Sequence, residues 1–360
     1  MKPKLIAFYL PQFHTIPENN MWWGNGFTEW NNVKNAVPLY CGHYQPRIPD
    51  DALGYYNLLD FNVRNLQAKM AQDAGIYGFC YWHYWFGNGK QLLQRPFEEV
   101  VTSGKPNFPF CLAWANESWY KKVWANIRQD DQLLIEQQYG GIQDYTEHFY
   151  KLLPAFKDKR YICIDGKPLF VIYKPLASPE INIFIKTWRE LAKTEGLKGF
   201  YFVGHCLNEF NRLQEYENMD LDAINTNGMA EFLNHFPFGL RAVYKVIRQI
   251  TGLPYIVNYK TVSRYFNPND KIALEKYIPT ILTGWDHTPR GGKIGYVYTG
   301  YNPQVLEKQL EKTLDTISKK SNPIVFLKSW NEWGEGNYLE PDQRYGYQYL
   351  NVIKKLMMRY

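Results

Sequence analysis

Two carboxylates, Glu332 and Glu335, stand three residues apart in the segment Trp330-Asn331-Glu332-Trp333-Gly334-Glu335-Gly336. Carboxyl pairs are the working groups of glycoside hydrolysis, one handling the proton of the leaving oxygen and the other acting at the sugar. Residues three apart in a helical turn have Cβ atoms about 5–6 Å from each other, so both groups would reach one ring from the same side. That placement does not suit a nucleophile opposite an acid across the scissile bond. Glu332 and Glu335 are the expected catalytic residues, with roles that need one carboxyl charged and one protonated near neutrality. Adjacent carboxyls in an aromatic, partly dry pocket tend to split that way. A rival pairing stays open, because Asn116-Glu117 repeats the Asn-Glu dipeptide and Glu117 could act with Glu332 as acid and nucleophile.

The pair follows the apolar run 324–328, which reads as a buried strand carrying polar side chains into a loop at its carboxyl end. Runs of the same kind occur at 5–9, 78–82, 110–114, 169–173, 200–203, 223–225 and 278–283. Helical patterns fall between them. Ile181, Phe184, Ile185, Trp188, Leu191 and Ala192 keep a 3.6-residue period before Gly196, and Asn302-Pro303 opens a helix with Leu306, Leu310, Leu314 and Ile317 on one face. Eight strand and helix repeats predict the α/β class: a single (β/α)8 TIM barrel over residues 1–360 with elaborated loops at its C-terminal face. Residues 228–270 form a basic, aromatic insertion after the sixth strand of the same domain.

Barrels of this kind place their chemistry on the loops that follow the strands, so polar and aromatic residues at strand ends become expected substrate-binding residues. They are Tyr9, His14, Glu29 and Trp30 from the first strand and its loop; Trp82, His83 and Trp85 from the second; and Trp114, Asn116 and Glu117 from the third. Tyr173, His205 and Asn227 follow at the fourth, fifth and sixth, then Trp285, Asp286 and Arg290 at the seventh, and Trp330, Asn331 and Tyr338 at the eighth. With 29 Tyr and 12 Trp, the chain is rich in flat rings on which sugar C–H faces stack. The expected partner is an oligosaccharide or polysaccharide. Arg290-Gly291-Gly292 is also a candidate phosphate or acidic-sugar site.

A net charge of +6, spread along the chain, argues against nucleic acid. Five widely spaced cysteines without a C-x-x-C pair read as free thiols, and neither a metal nor a cofactor is expected. Asp220-Leu221-Asp222 precedes the sixth strand, on the wrong end of a barrel for a metal-dependent transferase motif. The run 5–10 is too short for a signal peptide core, so the chain as given reads as cytoplasmic. Between Glu231 and Asp270 there is no acidic residue, and basic positions alternate there with apolar ones. Residues 238–266 are therefore the expected place of any peripheral contact with an anionic membrane.

Five separated motifs carry a family resemblance: Tyr9-Leu10-Pro11-Gln12-Phe13-His14, Gly26-Phe27-Thr28-Glu29-Trp30, Gly78-Phe79-Cys80-Tyr81-Trp82-His83-Tyr84, Trp114-Ala115-Asn116-Glu117 and the 330–336 segment. Together they resemble the WbsX family, which is similar to glycoside hydrolase family 99, the endo-α-mannosidase type. The resemblance implies retaining cleavage of an α-glycosidic bond. Glu332 would take the proton of the sugar 2-OH so that this oxygen attacks C1, and Glu335 would protonate the departing oxygen. It also leaves two alternatives: a glycosyltransferase of lipopolysaccharide O-antigen or capsule assembly, and a non-catalytic glycan-binding protein.

Overall fold

In the computed structural model, which describes residues 2–121, 132–235 and 238–360, eight parallel strands close on themselves. They are β1 (Lys4–Tyr9), β2 (Gly78–Trp85), β3 (Phe110–Trp114), β4 (Lys167–Ile172), β5 (Tyr201–Leu207), β6 (Ala223–Asn227), β7 (Tyr277–Leu282) and β8 (Ile324–Lys328). Each pairs with its neighbours in chain order, and β8 returns to β1 with Lys4 opposite Ile324 and Ala7 opposite Leu327. All eight predicted runs fall on these strands. Closure removes both sheet edges, and burial on both faces is why the strands read as near-continuous apolar runs.

Side chains alternate between the barrel interior and the layer beneath the helices. Inside, Phe8 stacks on Trp82 at 4.8 Å and on Phe326 at 4.9 Å, and meets His205 edge-on at 5.8 Å. This aromatic layer plugs the barrel and forms the floor under its carboxyl end.

The outer helices follow from their patterns. Helix α1 (Pro17–Trp23) and helix α2 (Glu29–Lys34) lie in the long loop after β1. Thr28 and Asn31 form a reciprocal capping box at the start of α2. Helix α3 (Phe61–Asp73) starts on Asp60, whose side chain accepts from the Asn62 N–H. Helices α4 (Arg95–Ser103), α5 (Gly141–Phe156) and α6 (Ile181–Thr194) cover β2 to β5, and α6 matches the predicted period.

After β6 the chain forms α7 (Phe238–Thr251) and a strand, Tyr255–Asn258, that pairs with Tyr296–Thr299. A second apolar cluster of Met229, Phe232, Tyr259, Val262, Phe266 and Trp285 fixes this region to the end of β7. Val243, Val246 and Ile250 are exposed along α7. Arg248 stacks at 3.5 Å on the Tyr255 ring and donates to the Lys293 carbonyl.

Helix α8 (Pro303–Ile317) opens as predicted, with the Asn302 side chain accepting from the Val305 N–H at 3.0 Å. Helix α9 (Gln348–Met357) packs beside it. Among the described residues, no helix is long and apolar enough to cross a membrane.

Candidate active site

Strand β8 ends at Lys328, and the chain then makes a short 3-10 turn over Trp333–Glu335. Asn331 anchors this turn to β1: its side chain accepts from the Leu10 N–H at 2.7 Å and donates to the Leu10 carbonyl at 3.0 Å. Glu332 and Glu335 then line one cavity of about 440 Å³ at the carboxyl end of the barrel. Its walls are aromatic, from Trp23, Phe27, Trp82, Tyr84, Trp119, Tyr173 and Trp285.

Lys328 holds the two carboxylates together. Its ammonium lies 2.8 Å from Glu332 and 3.7 Å from Glu335, and 6.0 Å from the rings of both Trp82 and Trp285. Burial alone would lower the pKa of this lysine, but the two glutamates outweigh it and raise it. Glu332 also accepts from the Ser329 hydroxyl at 2.7 Å. Glu335 accepts from Arg290 at 2.6 Å and from the Asn337 amide at 3.3 Å, and Arg290 reaches Glu29 at 2.8 Å. Burial pushes the Glu335 pKa up, yet Arg290 and then Lys328 overcome it and hold the carboxyl at about 2.

Glu335 is thus held as a carboxylate, because two cations, Arg290 and Lys328, reach it. Gly334 is required by the same arrangement: a Cβ there would collide with the Glu29 carboxylate and with Nε of Arg290. Arg290 is therefore engaged by two carboxylates, Glu29 and Glu335.

Glu29, Trp82, Glu117, Tyr173, His205, Trp285 and Arg290 all line the cavity with the glutamate pair. Glu117 is ion-paired with Lys174. His205 is bonded to Asn225 and, through burial first, its pKa falls to about 3, so it faces the cavity as a neutral ring.

Other expected site residues lie elsewhere, and strand alternation explains several of them. Tyr9 points outward and donates to Gln67 at 2.6 Å. On β2, His83 and Trp85 face the helices: His83 shares a 2.8 Å hydrogen bond with His148 of α5, and Trp85 stacks on that histidine and donates to Asp144 at 3.1 Å. Trp114 donates to the Trp85 carbonyl in the same layer. Trp330 is fully buried against Phe79.

The rest serve as braces. His14 bonds the Pro11 carbonyl, and Trp30 donates to the Tyr56 carbonyl while packing on Trp333. Asn116 bridges both backbone groups of Lys174. Asp286 accepts from Gln45 at 2.7 Å and meets His43 at 2.9 Å, fixing the loop after β1. Tyr338 stacks on Trp333 at 3.7 Å and donates to Asp342, Asn331 is the clamp on Leu10, and Asn227 is buried outside the cavity lining.

The cavity also holds residues absent from the expected set: Gln12, Trp23, Phe27, Tyr84, Trp119, Tyr120, Met229, His287 and Lys328. Lys328 carried a usable signal, since a lysine closing an apolar strand at an inward position must find a carboxylate.

Comparison with known proteins agrees with this architecture. Two proteins labelled uncharacterized protein WxcX, from two strains of Xanthomonas campestris pv. campestris, are each 32% identical over 363 residues, covering 99% of this chain and 50% of their own length. The chain thus spans about half the length of these relatives. A solved glycoside hydrolase-like protein superposes with a TM-score of 0.61 at 15% identity, covering 99% of this chain and 94% of the other. The glycoside hydrolase family 99 endo-α-mannosidase from Bacteroides thetaiotaomicron superposes with a TM-score of 0.58 at 15% identity, covering 99% and 96%. At that identity the likeness is one of fold. A family model described as Glycosyltransferase WbsX matches residues 5–353, and the chain belongs to the WbsX family.

Proposed function

We propose that the protein is a carbohydrate-active enzyme that breaks an α-glycosidic bond with retention, using Glu332, Glu335 and the sugar's own 2-OH. The observation that carries this reading is the convergence of Glu332 and Glu335 on one aromatic-walled cavity, tied by a shared Lys328 ammonium. Glu332 takes the 2-OH proton, O2 attacks C1, and the C1–O bond breaks as Glu335 protonates the leaving oxygen. Water then attacks C1 and opens the 1,2-anhydro sugar. Glu335 accepts the water proton and Glu332 returns its own to O2, so two inversions give net retention.

Glu335 must acquire a proton before it can act as the acid. Sugar hydroxyls entering between Arg290 and Glu335 weaken that ion pair while desolvation continues to favour the neutral carboxyl. Arg290 keeps its second partner, Glu29. Substrate entry is thus the step that loads the acid.

The test is a screen of α-linked oligosaccharides with wild type, Glu332→Gln, Glu335→Gln and Glu117→Gln, followed by a 2-deoxy analogue of whichever substrate is cleaved. Both members of the pair should lose about 10²–10⁴-fold, and the 2-deoxy analogue should survive intact. Full activity in Glu335→Gln with none in Glu117→Gln would transfer the chemistry to the rival pair.

The family's description as a glycosyltransferase favours a second reading, in which a sugar hydroxyl takes the place of water. Product analysis with acceptor sugars present separates the two.

A further inference from the structure

Beside the catalytic cavity lies a second basin of about 650 Å³. Gln12, Trp23, Glu117, Trp119 and Tyr120 line both, so the two spaces form one trough that bends over Glu117 and Trp119. The far wall of the second basin is made by Asn19, Asn116, Ser118, Gln137, Tyr139 and Lys174. Nothing in the chemistry above uses it.

Its polar groups are unusual. Asn19 is fully buried, yet among the described residues neither its amide oxygen nor its nitrogen has a hydrogen-bond partner, and the Gln137 amide oxygen has none there either. Buried polar atoms without partners are rare in folded proteins, because each gives up its bond to water without replacing it. Two such amides beside exposed faces of Trp23 and Tyr120 make the combination that receives a sugar ring: apolar platforms for its C–H face and amides for its hydroxyls.

Charge narrows the ligand class. Glu29, Glu117, Glu332 and Glu335 line the trough; Arg290 and Lys328 are each ion-paired with two of them and Lys174 with Glu117. A pyrophosphate entering here would meet carboxylates whose cations are already engaged. We propose that the second basin holds the next sugar of a neutral glycan chain. On this assignment the protein recognises at least two linked rings, and a sugar nucleotide is not its donor. The proposal rests on the functional reading above and deepens it.

Tryptophan fluorescence, from Trp23 and Trp119 in the trough, can follow titration with α-linked oligosaccharides of one to four rings and with a matched set of sugar nucleotides. Affinity in wild type should rise about tenfold when a second ring is added. Ala177, exposed at the edge of the basin, allows a bulky plug without disturbing the core. In Ala177→Trp the longer chain should bind no better than the shorter one, with the same flattening, less complete, in Gln137→Ala. A single ring bound as tightly as a chain, or a length effect that survives Ala177→Trp, overturns the second-basin assignment and leaves the functional reading standing. Binding of sugar nucleotides alone, or of no glycan at all, overturns both.

Discussion

Glu335 and Glu340 are five residues apart, the first partly buried and the second fully buried, and are driven in opposite directions. Glu335 looks into the cavity, where Arg290 and Lys328 hold it at about 2 against the effect of burial. Glu340 looks the other way, into the layer behind the turn. It accepts from Trp333 at 2.6 Å, Gln67 at 2.6 Å and Tyr56 at 2.8 Å. With no cation among those partners, burial wins and the carboxyl rises to about 7. The inward face of this segment is built from charges and the outward face from neutral donors. The first can do chemistry; the second holds Trp333, and with it the turn, in place.

The largest expected effect separates these faces by activity. Glu335→Gln should cost about 10³-fold in turnover, whereas Glu340→Gln at pH 5, where the wild-type carboxyl is protonated, should stay within a few-fold. Equal losses would erase the distinction. Next is stability: Trp114→Ala, behind the barrel wall, should lose about 3–5 kcal/mol in urea unfolding while the folded fraction keeps its specific activity. A Trp114→Ala protein of normal stability with altered activity would place that ring in the site after all.

The pH dependence of stability sharpens the same contrast. Glu335 titrates lower in the folded state than in the unfolded chain, so its contribution is present above the usual carboxylate range and is lost as pH falls from about 4.5 toward 2. Glu340 titrates higher when folded, so its contribution is full below about 4.5 and disappears as pH rises toward 7. Each amounts to roughly 3 kcal/mol. Urea midpoints from pH 3 to pH 8 should therefore lose their acid-side slope in Glu335→Gln and their neutral-side slope in Glu340→Gln. The smallest signal is proton linkage. If substrate entry loads Glu335, calorimetry in buffers of different ionisation heat should show uptake of about one proton at pH 6, and none in Glu335→Gln.

The fold was legible because its information is local. Apolar runs, capping residues such as Asn302 and the 3.6-residue period of Ile181 to Ala192 each fix one element, and eight repeats leave one closed architecture. The site was less legible because residue type says nothing about which side of a strand a side chain takes. Trp82 and Trp85 share a strand and a chemistry, but an odd separation sends one into the cavity and the other onto His148. Fixing one inward residue, such as Phe8 on Trp82, would have sorted the rest of β2 by parity. The long loop after β1 has no such rule: Trp23 and Phe27 pack on each other at the cavity, and Lys121, nearly a hundred positions away, lies over the Trp23 ring. Lys328 reads in the sequence as the end of an apolar run, whereas in the folded chain it is a cation balanced by two carboxylates.

The Asn331 clamp on Leu10 ties together peptides 321 positions apart, so the turn that carries Glu332 and Glu335 has no local means of holding its shape. Strand β8 covers the edges of both β1 and β7 and ends on the lysine that gathers the two glutamates. A cut that removes β8 therefore opens the barrel and scatters the glutamate pair in the same stroke.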